Sequence, residues 1–242
     1  FFVAEESLDS DQPNGTEIQF RPSHEIFPEY HFDAKYIRRR MQHYSWLNSG
    51  LSLSCNGERF YSRRGLLDLL DSKLESDALY DMIHYKSETM EFAFCHTGSF
   101  NENYYSFVNT QYTSDGGTHL AAFKEAIGKA INELAPKPLD FEDIRCGITG
   151  VIALKVQDPV FESQTKTKLG NTDIKADVIN EVKQAIVAFL YKNPEIKNRI
   201  FEKIEKNESI RKQIQAVRKG AKELAQKSQL KVDKLRDCKY HF

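Results

Sequence analysis

The residues of this chain best suited to chemistry lie in a short polar stretch between two hydrophobic segments. Residues 158–171 read DPVFESQTKTKLGN and carry Gln164, Lys166 and Lys168, with threonines between them. No acidic residue is expected to neutralise these lysines locally, so the stretch predicts a loop that presents positive charge. From these residues alone two interpretations are open. The charges face a partner, or they are only solvated, as short lysine-containing turns commonly are.

The chain lacks the short signatures of a self-contained hydrolase. It contains no GxSxG, HExxH or GxxxxGK[ST] sequence, and these patterns set nucleophiles, metal ligands or phosphate-binding amides at fixed spacings. None of its seven histidines has another at a helical i, i+4 spacing, so no metal site is expected. His119, in the sequence GGTH, either contacts a ligand or begins a helix that Thr118 caps.

Composition predicts a folded protein with an uneven distribution of charge. The chain has 242 residues, of which 40% are hydrophobic and 12% aromatic, and this is enough for a proper core. Its formal charge of -1 gives no overall attraction to nucleic acid or membrane. Residues 195–242, however, contain 14 Lys and Arg against 7 Asp and Glu. This tail is therefore strongly basic and the rest of the chain is acidic.

Cysteine usage and the ends of the chain suggest a cytosolic fragment. The four cysteines (Cys55, Cys95, Cys146 and Cys238) are widely spaced and form no CxxC pair, which predicts reduced thiols. No apolar run reaches the roughly 18–20 residues that a membrane-spanning helix needs. Because the sequence begins without Met and in the middle of a pattern, we expect a piece of a larger protein.

In the first third of the chain, spacing predicts a strand, a helix, a hairpin and a second helix. GTEIQF (15–20) alternates like a strand, and a helix is predicted to begin after Asp33 as its cap. LSLSC and ERFYS, separated by Asn56-Gly57, carry a strong hairpin signal. The segment GLLDLLDSKL then has the spacing of a short amphipathic helix.

The remainder predicts an α+β fold with a mixed sheet. DMIHYKS, EFAFCHT and YYSFVNT alternate like an antiparallel meander. Gly116-Gly117 leads into a helix that ends at Pro136, and the continuously apolar ITGVIALKV predicts a central strand covered on both faces. Two long helices follow, separated by Pro194.

Four stretches resemble the B subunits of bacterial type II topoisomerases. They are SWLNSG (45–50), FVNTQYTSDGGTHLAAFKEAI (107–127), EDIRCGITGVIALKVQDPVFESQTKTKLGN (142–171) and KLRDC (234–238). The family carries LNSG, VNT…GGTH, EDxREGL…VKVPDPxFEGQTKTKLGN and KLxDC in the same order and spacing. The sequence around KLRDC is more similar to topoisomerase IV than to gyrase. The departures are Ser163 in place of the family's usual Gly and Cys146 in place of its Glu.

The resemblance implies three regions. Residues 1–28 would be the end of an upstream ATP-binding domain of GHKL type, whose nucleotide pocket lies outside this sequence. Residues 29–192 would form the transducer domain, which resembles the second domain of ribosomal protein S5 and has a left-handed β-α-β crossover, against the usual right-handed rule. Residues 193–242 would be a long helix and linker that lead toward a metal-binding TOPRIM domain.

The resemblance also implies what the polar loop does. By match, Gln164 and Lys166 would contact the γ-phosphate of ATP in the adjoining pocket, with Mg²⁺ held outside this fragment. Lys168 is expected either to be structural or to contribute only general electrostatics. Phosphoryl transfer depends largely on positive charge placed where negative charge accumulates, and an ammonium group suits that task. The fragment alone is expected to be inactive, because it lacks the pocket.

DNA and protein partners follow from the same resemblance. Lys124 matches a basic position that faces the cavity for the transported duplex, although a plain surface lysine is an equal alternative. On the basic third helix, Arg218 and Lys219 are DNA-contact candidates, and with Arg211, Lys212 and Lys222 the helix could track phosphates without reading bases. The expected partners are DNA, a topoisomerase A subunit that supplies the strand-cleaving tyrosine, and a second copy of the B subunit. No membrane contact is expected.

Two functions of different classes fit these observations. The first is the energy-transducing part of a bacterial, cytoplasmic, ATP-dependent type II topoisomerase, which couples nucleotide state to DNA strand passage. The second is a stand-alone nucleic-acid-binding module of S5-like type with no coupling to nucleotide. The sequence leaves the choice between supercoiling and decatenation open.

Overall fold

The computed structural model describes residues 15–227, with side chains up to residue 222. The chain consists of two compact units, with the boundary between Arg39 and Arg40. Predicted features in residues 1–14 and around Cys238 lie outside the described residues. In the first unit, residues 15–33 form no regular element. The strand predicted at 15–20 is wrong, because a strand needs a pairing partner and no described residue pairs with this segment.

The first helix, α1 (Ala34–Leu47), begins where the sequence predicts. The Asp33 carboxylate accepts a hydrogen bond from the Lys35 amide at 2.8 Å, as expected of a residue that caps a helix. The hairpin of β1 (Ser52–Cys55) and β2 (Glu58–Tyr61) follows. Its turn residues Asn56 and Gly57 both have positive φ, which a two-residue hairpin turn requires. Both predictions are confirmed.

Five strands form the central sheet, and their order differs from the predicted meander. They are β3 (Ile83–Lys86), β4 (Met90–His96), β5 (Asn103–Val108), β6 (Gln111–Tyr112) and β7 (Ile148–Leu154), arranged β3-β4-β7-β5-β6. The predicted β4–β5 pairing is wrong because β7 lies between them, antiparallel to β4 and parallel to β5. The central position predicted for β7 is confirmed. A central position buries both faces of a strand, which suits the continuously apolar sequence of β7.

Helices cover both faces of this sheet. On one face lie α3 (Thr118–Leu134) and α5 (Lys175–Lys192), which pack around Phe92, Phe94 and Phe123. On the other face lies α2 (Leu66–Lys73), which packs on Ala93 and Val151. Neighbouring residues of β4 face opposite sides, as side chains of a strand must. The α+β fold class is thereby confirmed, while the handedness of the β5–α3–β7 crossover stays a prediction.

The last two helices extend the core. The short α4 (Phe141–Arg145), which the sequence did not predict, contacts α6 (Pro194–Lys227). Ile200 and Ile204 of α6 are fully buried, so its first turns belong to the same core as α5. From residue 212 to residue 222 every side chain of α6 is exposed. None of the helices in residues 15–227 is long and apolar enough to cross a bilayer.

Candidate functional site

The loop that carries Gln164 and Lys166 is closed at its base by backbone hydrogen bonds. The Gly170 amide donates to the Val160 carbonyl at 2.8 Å, and the Glu162 amide donates to the Lys168 carbonyl at 3.1 Å. At the tip, the Lys166 amide donates back to the Ser163 carbonyl at 3.0 Å. The two arms therefore run side by side, and residues 163–166 form the turn between them.

A buried asparagine secures this base. The Asn171 Oδ1 accepts a hydrogen bond from the Val160 amide at 2.7 Å, and its Nδ2 donates to the Asp173 carboxylate at 3.2 Å. Asn171 is 8% exposed. This role of Asn171 was not predicted from the sequence, although an asparagine after the LG of a polar loop is a recognisable candidate for such bonding.

The returning arm of the loop is attached to the start of α3. The Leu169 amide donates to the Gly116 carbonyl at 3.1 Å, and the Leu169 carbonyl accepts from the Thr118 amide at 3.1 Å. Gly117 has φ +125°, and a Cβ built there would lie 2.3 Å from the Leu169 oxygen. The glycine of GGTH is therefore needed for the contact, and the cap predicted at Thr118 is wrong, because α3 begins at Thr118 itself.

The two lysines of the loop differ in their partners. Lys168 Nζ lies 2.9 Å from the Glu162 carboxylate, so the expectation of no local neutralising acid is wrong for Lys168. The closed base brings these two side chains together across the loop. Lys166 is exposed, and no carboxylate among residues 15–222 lies within 4.0 Å of its Nζ. Gln164 is exposed as well. One amine and one amide are thus presented at the tip.

Backbone strain is localised at the same lysine. Lys166 has φ +56°, one of four positive values among the described non-glycine residues. A residue with a side chain adopts this conformation at a cost of about 1 kcal/mol or more. The turn therefore holds the backbone of Lys166 in an unfavourable conformation. Backbone strain of this kind is frequent at residues that contact ligands.

A buried histidine lies next to the attachment point. His119 is fully buried on α3, and its Nε2 lies 3.2 Å from Thr113 Oγ1, while its Nδ1 has no partner among the described residues. Burial lowers the pKa of His119 to about 4. Burial likewise lowers the pKa of His96 to about 4; its Nε2 is bonded to the Ile144 carbonyl at 2.7 Å. His119 is thus a core histidine beneath the loop.

These two histidines predict a dependence of stability on acid. In the folded protein their pKa lies near 4, below the ordinary value of 6.5, so the unfolded chain binds more protons between those limits. The contribution of these histidines to the free energy of unfolding is therefore fully present above pH 6.5, and it is lost as the pH is lowered toward 4. Urea unfolding at pH 7, 6 and 5 should show a loss of up to about 1.4 kcal/mol per pH unit for each histidine. In the variant His119→Gln, the unfolding free energy should depend on pH about half as steeply, because one of the two histidines is gone. An unchanged dependence would contradict a lowered pKa for His119.

The DNA-contact candidates are distributed over two helices. Lys124 of α3 lies 3.6 Å from the Glu102 carboxylate and 4.2 Å from the ring centroid of Tyr104, so its charge is already engaged. Arg218 and Lys219 are exposed on the second half of α6. The roles of all three remain predictions.

The basic surface of α6 is smaller than the sequence suggested. Arg211 donates two hydrogen bonds to the buried Asp143 carboxylate, at 2.7 and 2.6 Å. These contacts raise the pKa of Arg211. Lys212 is paired with Glu208 at 2.6 Å. Arg211 is occupied because α6 lies along the acidic α4, and Lys212 is occupied by a carboxylate one turn away on α6 itself. Of the five α6 cations predicted to track phosphates, the three not paired with these carboxylates are Arg218, Lys219 and Lys222, which are exposed.

Side chains that could together hold a metal ion are not clustered among the described residues. No group of three or more His, Cys, Asp or Glu residues in this part of the chain is arranged to hold a metal ion. Cys55, Cys95 and Cys146 are free thiols.

Comparison with known proteins places this architecture in a family. A family model described as DNA gyrase B matches residues 65–220. The B subunit of DNA topoisomerase 4 from Borreliella burgdorferi is 44% identical over 97% of this chain and 39% of its own length. The B subunit of DNA gyrase from Clostridium acetobutylicum is 33% identical over 81% of this chain and 34% of its own length.

A solved structure supports the same conclusion. The crystal structure of the 43K ATPase domain of Thermus thermophilus gyrase B, in complex with an aminocoumarin, has a TM-score of 0.70 and 28% identity. The match covers 83% of this chain and 60% of that one. The sheet, its helices and the attached loop thus define the transducer class of fold found in B subunits of type II topoisomerases.

The chain belongs to the DNA gyrase B family, because the family model matches well over half of its residues. Within that family its similarity to the topoisomerase 4 protein of Borreliella burgdorferi extends over nearly the whole sequence. The resemblance stated from the motifs is therefore confirmed. The chain spans about two fifths of the length of that relative.

Proposed function

We propose that this chain is the energy-transducing part of an ATP-dependent type II DNA topoisomerase. In this proposal the loop of residues 158–171 carries Lys166 and Gln164 to the γ-phosphate of ATP bound by an adjoining domain. The observation that supports it is the contrast between the two lysines. Lys168 is neutralised by Glu162 at 2.9 Å, whereas Lys166 is presented at the tip without a carboxylate partner among the described residues.

The proposed chemistry requires a compact positive charge and a neutral donor. Negative charge accumulates on the transferred phosphoryl group and its bridging oxygen, and a positioned ammonium stabilises it. The amide of Gln164 adds a donor without adding charge. When the γ-phosphate leaves, Lys166 loses its principal partner, so the loop favours another position. Nucleotide state is thereby converted into the position of a protein segment.

The fixed base explains how such a change is transmitted. Leu169 is bonded to the first residues of α3, and α3 packs along α5. A force on the loop tip therefore reaches the helical layer through backbone hydrogen bonds rather than through a flexible linker. We propose that this layer passes the signal to the rest of the topoisomerase, whose other parts are the ATP pocket with Mg²⁺, the A subunit and a second copy of the B subunit.

Contact with DNA is the less direct part of the proposal. Arg218 and Lys219 are exposed cations on α6, and sequence-independent contact with phosphates needs only such charges. Lys124 would first have to leave Glu102 and the Tyr104 ring. We therefore propose that Arg218 and Lys219 approach DNA more readily than Lys124 does.

Amine footprinting of the full-length protein tests the central contact. The protein, together with its A subunit, is treated with acetic anhydride in the presence of a non-hydrolysable ATP analogue or of ADP. Modification at each lysine is then read by mass spectrometry. Lys166 should react at least about tenfold more slowly with the ATP analogue than with ADP, because its amine is bonded to the γ-phosphate.

Lys168 is the internal control for this experiment. It lies two residues away in the same loop and is held by Glu162, so its reactivity should not depend on the nucleotide. Equal reactivity of Lys166 with both nucleotides would contradict the proposal and leave a nucleic-acid-binding module without nucleotide coupling.

A further inference from the structure

A cavity of about 720 Å³ lies away from the loop, between α6 and the connection from β4 to β5. Its apolar wall is formed by Leu79, Phe100 and Ile210. Phe100 is 59% exposed and Leu79 is 37% exposed, so both present apolar surface at the cavity. An aromatic ring at the mouth of a cavity offers a flat surface for stacking.

Three cations of α6 line the same cavity. Arg199, Lys203 and Lys206 follow one another at helical spacing, so they lie on one face of the helix. Glu202 is the one carboxylate among the described lining residues. The cavity therefore carries a net positive charge next to an apolar wall.

Lys203 is the least solvated of these cations. It is 8% exposed, and its Nζ donates to the Ser99 carbonyl at 3.2 Å and lies 5.1 Å from the centroid of the Phe100 ring. No carboxylate among residues 15–222 lies within 4.0 Å of this amine, and burial lowers its pKa. An ammonium buried against neutral partners is unfavourable, and an anion would relieve it.

Asn207, one turn further along α6, provides a second unsatisfied group. It is 3% exposed and lines the cavity. Its Nδ2 donates to the carbonyls of Asp143 at 2.9 Å and Cys146 at 3.2 Å, whereas its Oδ1 has no partner among the described residues. A buried acceptor left without a donor costs stability, but this oxygen has no access to the cavity, so Asn207 orders the cavity wall through its two Nδ2 hydrogen bonds.

We propose that this cavity is a binding site for a small organic anion with a flat apolar body. An oxyanion, either carboxylate or phosphate monoester, pairs with Lys203 and Lys206, and the body stacks on Phe100. Lys203 is too buried for the backbone of a DNA duplex to reach. This inference does not depend on the proposed function of the loop.

The test is a titration of this chain with three hydroxylated benzene derivatives. They are 4-hydroxybenzoate, 4-hydroxyphenyl phosphate and the neutral 4-hydroxybenzyl alcohol, each followed by calorimetry. At least one of the two anions should bind at least about tenfold more tightly than the alcohol, because hydrogen bonds to charged groups are the stronger ones. Comparison of the two anions identifies which oxyanion the cavity prefers. Equal binding of alcohol and anions, or no binding, would overturn the proposal.

Two variants assign the binding to the cavity. Lys203→Met keeps the apolar stem of the side chain, and Lys206→Glu reverses an exposed charge without a change in the core. Each should weaken binding of the anion at least about tenfold. Lys212→Met, on the same helix but outside the cavity, should bind like the parent chain. Variants that bind like the parent, or displacement of the anion by a short DNA duplex, would contradict a site for small anions.

Discussion

Replacement of Gly117 by alanine is expected to destabilise the protein by about 2–5 kcal/mol. The backbone of Gly117 has φ +125° and ψ -165°, a region that residues with a side chain almost never occupy. In addition, the new Cβ would lie 2.3 Å from the oxygen and 2.5 Å from the nitrogen of Leu169. Both atoms belong to the backbone, so no side-chain rotation relieves the overlap. Urea unfolding of the parent and variant chains measures the loss.

The same substitution should release the loop from α3. Relief of the overlap requires Leu169 to move away, which breaks its hydrogen bonds with Gly116 and Thr118. Hydrogen exchange at the amides of Leu169 and Thr118 should therefore accelerate more than exchange in the sheet. Gly98→Ala is the matched control, because nothing lies within 4 Å of its Cβ position. It should change stability by less than about 0.5 kcal/mol, and equal behaviour of the two variants would contradict the steric argument.

This contact joins two sequence motifs that lie far apart along the chain. GGTH and QTKTKLGN are separated by about forty-five residues, yet the glycine of one touches the backbone of the other. The close approach leaves no room for a side chain at residue 117. The sequence indicated a helix start at the first motif and a charged loop at the second. Only the folded structure shows that the helix start supports the loop.

Local features were predictable because short-range physics determines them. The Asn56-Gly57 turn, the helix after Asp33 and the end of α3 before Pro136 follow from backbone preferences of single residues. The central position of β7 follows from its unbroken apolar sequence. None of these depends on which distant segment is the neighbour.

Features that depend on distant partners were missed. The insertion of β7 between β4 and β5 requires a parallel crossover through α3, and alternation of side chains carries no information on strand order. The pairing of Arg211 with Asp143 joins residues 68 positions apart. The pairing of Lys168 with Glu162 was missed for a different reason. These residues are close in sequence, but they meet only because the loop base is closed.

That closed base also gives the two lysines different surroundings, because only Lys168 is paired with a carboxylate, and from this difference we predict a large kinetic effect. In the full-length protein with its A subunit, Lys166→Ala should lower the kcat of ATP hydrolysis by about 10²–10³-fold, the usual effect of removing one group that stabilises developing charge. The fold should be unaffected, because Lys166 is exposed and its amine contacts no carboxylate in the described chain. Steady-state turnover and thermal unfolding of the same preparations measure both outcomes.

Lys168→Ala is the matched control for this prediction. It removes the same amine two residues away, but that amine is paired with Glu162 rather than presented to a ligand. Its kcat should stay within about threefold of the parent, since an exposed ion pair contributes less than about 1 kcal/mol. Lys166→Arg should retain part of the activity, because it keeps the charge but alters its shape. Equal losses for Lys166→Ala and Lys168→Ala would mean that the loop acts through its overall charge, and no loss in either would remove Lys166 from the reaction.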